Sequence, residues 1–301
     1  MKIPISVLIL TRNEEVNIGQ ALENVCGWAD QVFVVDSYST DKTLDIARTM
    51  GTEIVQNPWH GYAAQKNWAL DNLNFRNEWV FVLDADELLS DELKQEVAEI
   101  VAAGGRGYDG FYIKWRLIFY GQWIRHSGWY PGWGLRLFKH RLGRFENRPV
   151  DEHLILNGKA GECKNDIIHR DLHDMAYWIN KHIRYAQLNA EAYSQLEQNQ
   201  GADERIKPSL FGSQAQRRRF IKERLWRHLP ARGVLYFLYL YVFRFGFLDG
   251  RKGLIFCMMH GIFEEFKVVM QWERRHFEEL QSTVTSEATS PTATRSTTSG
   301  G

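Results

Sequence analysis

The chain predicts an α/β fold built on a doubly wound, mainly parallel sheet, and three observations carry that expectation. Short apolar runs recur through the first 100 or so residues, each run is followed by apolar positions at helical spacing, and polar residues collect where the runs end. Ile5 to Leu10 is the first strand, and Ile18, Ala21, Leu22 and Val25 mark one face of the helix after it. Gln31 to Val35 is the second strand. Ser39 or Asp41 can cap the next helix, whose stripe is Leu44, Ala47 and Met50. Glu53 to Val55, Tyr62 to Leu73 and Trp79 to Leu83 continue as strand, helix and strand, and Ser90 caps a helix carrying Leu93, Val97, Ile100 and Val101. Four such pairs imply right-handed crossovers between parallel strands. From Gly110 to His169 the pattern turns to short aromatic strands and Gly-containing loops, which fit the second half of the sheet.

Length and composition bound the function. With 301 residues, 44% hydrophobic and 25% charged, the chain belongs with soluble globular proteins. Lys+Arg and Asp+Glu are 37 each, so the net charge of zero gives no electrostatic case for nucleic acid. The charge is unevenly spread: residues 1 to 110 hold 8 basic and 18 acidic side chains, whereas 205 to 252 hold 12 basic and 2 acidic. Cys26, Cys163 and Cys257 are odd in number and far apart, which suggests neither a disulfide framework nor a zinc site and fits a reducing compartment. The N-terminus lacks the marks of a signal peptide. The longest apolar run, Val234 to Phe243, falls short of the roughly 20 residues that span a bilayer.

Three segments are expected: a sheet domain over 1–170, a helical, basic and aromatic extension over 171–280 that begins with a helix from Asp174 to Gln198, and a Ser/Thr-rich disordered tail over 281–301.

In an open parallel sheet, ligands bind beyond the carboxyl ends of the strands. Strand one ends in Thr11-Arg12-Asn13-Glu14-Glu15 with no G-x-G-x-x-G, which disfavours NAD and FAD. Glu15 reads as a partner of the following helix dipole. Strand two ends at Asp36, a candidate acceptor for a base N–H or a ribose hydroxyl. Strand four ends in Asp84-Ala85-Asp86-Glu87, and acids clustered after an apolar run call for a balancing cation. Asp84 and Asp86 point the same way if strand geometry persists, so one can serve a ribose and the other a divalent ion; Glu87 and Asp91 read as loop and helix-capping acids.

With these residues in order, ISVLILTRNEE, VVDSYSTDKT and VLDADE resemble the nucleotide-sugar half of family 2 glycosyltransferases of the GT-A fold. WYPGWGLRLFKH, FENRPVDEHL, IIHRDLHDMAYWINKHIRYA and FGFLDGRKGL are similar to bacterial enzymes that add a hexose to the lipopolysaccharide inner core, so the resemblance runs over about residues 3 to 275. It implies that Thr11, Arg12 and Glu14 line the nucleotide pocket, that Asp36 faces the base and Asp84 the ribose, and that Asp86 binds Mg²⁺ or Mn²⁺. Lys66 and Asn67 fall where the family places polar residues near the diphosphate. His169 matches a histidine given to the metal or diphosphate, and Arg136 is a candidate phosphate contact. Arg12 departs from the usual aromatic of the first loop, so base stacking there is lost or supplied by its guanidinium.

A sugar hydroxyl needs a general base. The family pattern points to Glu152, with Asp151 as the neighbouring candidate. His153, His173 and His182 read as structural, while Trp129, Tyr130 and Trp133 either stack on sugars or pack. Arg217, Arg218, Arg219, Lys222, Arg224 and Arg227 with Tyr236, Phe237, Tyr239, Tyr241 and Phe243 read as an element lying in an anionic membrane interface, the alternative being a helix pair packed on the sheet domain. The sequence thus predicts an inverting, metal-dependent enzyme moving a hexose, from a UDP-sugar by preference, to a glycan or lipid-linked acceptor, cytoplasmic and peripheral at the inner membrane. The rivals are a nucleotidyltransferase, which TRNEE does not suit, and a membrane scaffold with a relict sugar-nucleotide site.

Overall fold

The computed structural model describes residues 2–146, 153–198, 211 and 231–289. The chain opens with β1 (Ile3–Thr11), α1 (Ile18–Cys26), β2 (Ala29–Asp36), α2 (Thr43–Thr49), β3 (Glu53–Gln56), α3 (Tyr62–Asn72) and β4 (Trp79–Asp84). These strands align in parallel in the order β3-β2-β1-β4, with helices on both faces. One face packs Ile5, Val7 and Ile9 of β1 against Ile18, Leu22 and Val25 of α1; the other packs Leu8 and Val82 against Ala63, Ala69 and Leu70 of α3. The side-chain period of two in β1 sends alternate residues to two cores, which is why the run is apolar throughout. Asp41, rather than Ser39, serves the start of α2, accepting from the Thr43 backbone N–H at 3.0 Å. Ser90 accepts from the Leu93 N–H and opens α4 (Asp91–Ala102) as expected.

The fourth strand does not pass directly into its helix. A three-residue strand, β5 (Glu87–Leu89), intervenes and pairs antiparallel with β11 (Ala160–His169) at the far edge of the sheet. Glu87 is therefore not a solvated capping acid. It is buried opposite His169. Between β4 and β11 lie β8 (Gly132–Lys139), antiparallel to both neighbours, and β6 (Gly110–Phe119), parallel to β11; the short β7 (Gln122–Trp123) folds back on β6. A separate pair joins β9 (Gly143–Phe145) to β10 (Leu154–Leu156).

Beyond the sheet run α5 (Met175–Gln198), α6 (Arg232–Leu238), a π-helical turn over Tyr239–Phe243, and α7 (Gly250–Thr289). A Cβ on Gly233 would stand 2.5 Å from the Gly261 carbonyl oxygen, so only glycine there lets α6 and α7 approach this closely. Leu240, Phe256 and Cys257 of this hairpin form a third core with Ile124, against Leu117, Phe119 and Trp129. Asp249 pins the hairpin to the sheet domain, accepting from the Arg125 and His126 backbone N–H groups at 3.3 and 2.9 Å. The last helix continues to Thr289, into the segment from 281 expected to lack structure. Extending a helix already nucleated upstream fixes few residues per hydrogen bond gained.

Candidate active site

Strand order reverses direction at β1, whose neighbours β2 and β4 lead off to opposite sides, and the carboxyl ends of all three carry the acids singled out in the sequence. Asp36 ends β2 wholly buried. Its oxygens accept from Thr11 Oγ1 at 3.1 Å, Ser39 N–H at 2.9 Å, Ser39 Oγ at 2.5 Å and Gln56 Nε2 at 3.1 Å. A carboxylate has about four lone-pair sites, and these four donors fill them. Asp36 therefore anchors the floor of the site, and the Thr11 hydroxyl is one of its donors. Above that floor the first loop is laced to the second: Asn13 accepts from the Thr40 N–H, and Glu15 accepts from the Lys42 N–H, so Glu15 supports the entry to α2 and not the dipole of α1. Arg12 is exposed at the rim and makes no hydrogen bond or ion pair among the described residues.

Asp84 and Asp86 diverge. Arg136 Nη2 donates to Asp84 Oδ2 at 3.1 Å and to Glu87 Oε1 at 2.7 Å, while Asp86 Oδ2 pairs with His169 Nε2 at 3.2 Å. The β6–β8 register slips by one residue between Phe111, opposite Leu137, and Tyr112, opposite Leu135, leaving Arg136 as the extra residue. A bulge of this kind re-aims a side chain, and here it aims the guanidinium at two carboxylates. Arg136 thus serves the acids and not, in this arrangement, a phosphate. Burial alone would raise the Asp84 carboxyl, but Arg136 and Lys66 outweigh it and hold it well below the usual range. Glu87 keeps the opposite balance, pushed up to about 7 by burial even beside Arg136. Burial would lower the His169 imidazole, yet the carboxylates of Asp86, Glu87 and Asp84 lift it to about 9.

Glu14 reaches the same site. Burial and then the Asp86 charge raise it to about 7, and Asn17 Nδ2 donates to it at 2.9 Å. Asn17 Nδ2 also donates to Asp171 Oδ1 at 3.0 Å, tying the first loop to the segment after β11. Lys66 is buried on α3 with its ammonium 4.9 Å from the centre of the Phe145 ring. The Asn67 amide exchanges hydrogen bonds with the Phe145 backbone at 2.8 and 2.9 Å, so it braces β9.

Sequence reasoning missed Lys181. From α5 its ammonium lies 3.9 Å from Asp171 Oδ2, and Asp86, Tyr185 and Asp171 together raise it well above its usual value against the effect of burial. The Tyr62 and Tyr185 hydroxyls hydrogen-bond one another beside it. A lysine in a long polar helix gives no local signal of its destination. Trp129 packs on Phe256 and His260, which resolves its reading toward packing. His173, held by Asp171, and His182, bonded to the Trp178 carbonyl, keep their structural reading. Asp151 and Glu152 lie outside the described residues, as do Arg217 to Arg227.

Residues 6–155 match the model of glycosyl transferase family 2. The chain belongs to that family. An uncharacterized glycosyltransferase of Rickettsia typhi is 41% identical over 119 residues, 39% of this chain and 40% of that one. The chain thus matches about two fifths of the length of such rickettsial relatives. The lipopolysaccharide core biosynthesis glycosyltransferase LpsC of Rhizobium meliloti is 28% identical over 225 residues, 70% of this chain and 76% of its own. In fold, the family 2 chain resembles the mannosyltransferase PcManGT from Pyrobaculum calidifontis, solved with GDP-Man and Mn²⁺, at a TM-score of 0.51 and 17% identity, covering 90% of this chain and 88% of that one. That likeness makes the sheet a GT-A type fold with a C-terminal helical extension.

Proposed function

We propose that this protein is an inverting, metal-dependent hexosyltransferase that passes a sugar from a nucleotide-sugar donor, by preference a UDP-hexose, to a lipopolysaccharide-core or other glycan or lipid-linked acceptor. The observation that carries the reading is the pairing of Asp86 with His169 at the carboxyl ends of β4 and β11. Among the described residues no group of three His, Cys, Asp or Glu side chains is placed to hold a metal. That suits Mg²⁺ or Mn²⁺ arriving with its donor, since such ions take one or two protein carboxylates and complete their shell from substrate phosphates and water. Asp86 and a deprotonated His169 would hold it, and the bound ion would supply charge stabilisation for the departing diphosphate. Arg136 keeps Asp84 ionised for a ribose hydroxyl, Lys66 and Lys181 add positive charge around the same acids, and Glu152 takes the acceptor proton as the hydroxyl attacks the anomeric carbon in line.

The acceptor side is proposed to lie at a membrane. No helix among the described residues is long and apolar enough to cross one. Yet Val234, Leu235, Leu238, Tyr239, Val242 and Phe243 of the hairpin are exposed, Arg251 at the start of α7 is exposed too, and residues 205–252 carry the excess of positive charge noted above. An apolar surface with basic flanks matches the interface of an anionic bilayer, which makes the enzyme peripheral at the cytoplasmic face of the inner membrane.

Incubation with UDP-, GDP- and dTDP-sugars plus Mn²⁺, with slow donor hydrolysis as the readout, tests the reading. One donor should be consumed, and EDTA should stop its consumption. Indifference to every donor, with or without metal, would overturn it.

A further inference from the structure

We propose that the sheet face carrying Asp84 holds an anion-binding subsite built from Arg116, Arg125 and Trp123, and that the acceptor therefore bears an acidic group, a phosphate or a sugar carboxylate. Calling the ligand an acceptor rests on the glycosyltransferase reading; the anion subsite itself rests on the following geometry.

Side chains alternate along a strand, so Asp84 shares a face with Val82 and Val80 of β4, which pack with Leu135 and Phe138 of β8. Trp133, two residues before Leu135, lies on that face, and so do its cross-strand partner Lys114 and then Arg116 of β6. Trp123 pairs with Ile118, the residue after Leu117, which is itself the partner of His169. The cluster therefore lies on the Asp84 face, at the strand end where His169 stands.

Charge there is unbalanced. Asp166, with a side chain only 3% exposed, is fully engaged: Arg116 Nε donates to it at 2.6 Å, the Tyr130 hydroxyl donates at 3.2 Å and Lys114 Nζ lies 3.4 Å away. Arg125 is exposed, and while its backbone N–H donates to Asp249, its guanidinium has no carboxylate or hydrogen-bond partner among the described residues. Both guanidiniums are nonetheless held over one indole, Arg116 at 4.9 Å and Arg125 at 4.6 Å from the Trp123 ring centre. The Trp123 Nε1–H is buried with no acceptor among the described residues. Two cations share one carboxylate, the Arg125 guanidinium has none among the described residues, and a donor lacks an acceptor. What the cluster lacks is an oxygen-rich anion, whose paired oxygens match the fork of a guanidinium. The guanidiniums over Trp123 occupy the ring that a neutral sugar would stack on, which turns the site from carbohydrate stacking to charge.

The test titrates the full chain with glucose 6-phosphate, glucuronate and glucose by ligand-observed NMR, with UDP plus Mn²⁺ binding followed by calorimetry in parallel. One or both acids should bind and glucose should not; the tighter acid names the group. Arg125→Ala should weaken acid binding tenfold or more and Arg125→Lys less, with UDP affinity unchanged in both. Arg125 is exposed, so neither variant should lose its fold, and an unchanged melting temperature verifies this. Equal binding of glucose and the acids, no binding of either acid, or unaltered acid binding in Arg125→Ala overturns the proposal. Acid binding without nucleotide binding would keep the subsite and sink the glycosyltransferase reading; nucleotide binding without acid binding would do the reverse.

Discussion

In the parallel half of the sheet, β1, β2 and β4 bury nearly all of their apolar side chains and leave polar ones at the strand ends. The α6–α7 hairpin does the opposite: it seats Leu240, Phe256 and Cys257 on the β6–β7 hairpin while Phe243 is 71% and Leu248 59% exposed. Both regions obey the same drive to remove apolar surface from water. The sheet satisfies it within the fold. The hairpin leaves many apolar side chains exposed, and clustered exposure of this kind is what marks a site for a partner or a membrane. On the proposed function, chemistry would belong with the first region and membrane placement with the second, so substitutions should divide between turnover and location.

The largest effect is expected at the strand end. Asp86→Asn should abolish Mn²⁺-dependent donor binding and lower turnover by about 10³-fold or more, the scale of the several kcal/mol a Lewis-acid metal supplies. Calorimetry with and without EDTA, together with donor consumption, measures both; wild-type affinity in the variant would end the metal assignment. Vesicle binding should not change.

Glu152→Gln should come next, with turnover down roughly 10²- to 10⁴-fold and donor affinity nearly constant. Rapid transfer by this variant beside a dead Asp151→Asn would move the base by one residue. Activity in both would require another base.

The hairpin is then challenged by Phe243→Ser with Leu248→Ser. Each side chain is already more than half exposed, so folding should tolerate the change. Loss of their insertion, on the order of 2 kcal/mol together, should reduce partition onto anionic vesicles roughly 30-fold while donor hydrolysis in solution persists. Co-sedimentation indifferent to both the variant and anionic lipid would return this face to another role.

The smallest effect concerns the seam where α5 meets α7. His182 and His260 stand 6.2 Å apart by ring centres, and burial pushes them down to about 4 and about 3. Both values lie below the ordinary 6.5, so their contribution to stability is present above pH 6.5 and is lost as the pH falls through the folded values. Glu14 and Glu87, raised to about 7, act in the opposite sense in this window, favouring the folded state as they take up protons. Melting temperatures of wild type and His260→Asn between pH 7 and 4 separate the two. The variant should lose less stability on acidification, and an identical slope would show that the seam does not contribute.

What the sequence determined by itself was whatever local periodicity and strand-end chemistry encode. The apolar run of β1, the Ser90 cap and the acids ending β2 and β4 were all legible, because each depends on neighbours within a few residues. The partners that Asp36 and Arg136 take within the protein were not legible, for the opposite reason. Their partners come from distant segments, Thr11 and Gln56 in one case, Asp84 and Glu87 in the other. Only the tertiary structure could insert β5 beside β11, bulge β8 at Arg136, bring Lys181 from α5 toward Asp86, and gather Arg116 and Arg125 over Trp123. The physical reason is that a charge or donor is satisfied by whatever reaches it in space, and burial makes that partner obligatory without recording it in the adjacent sequence.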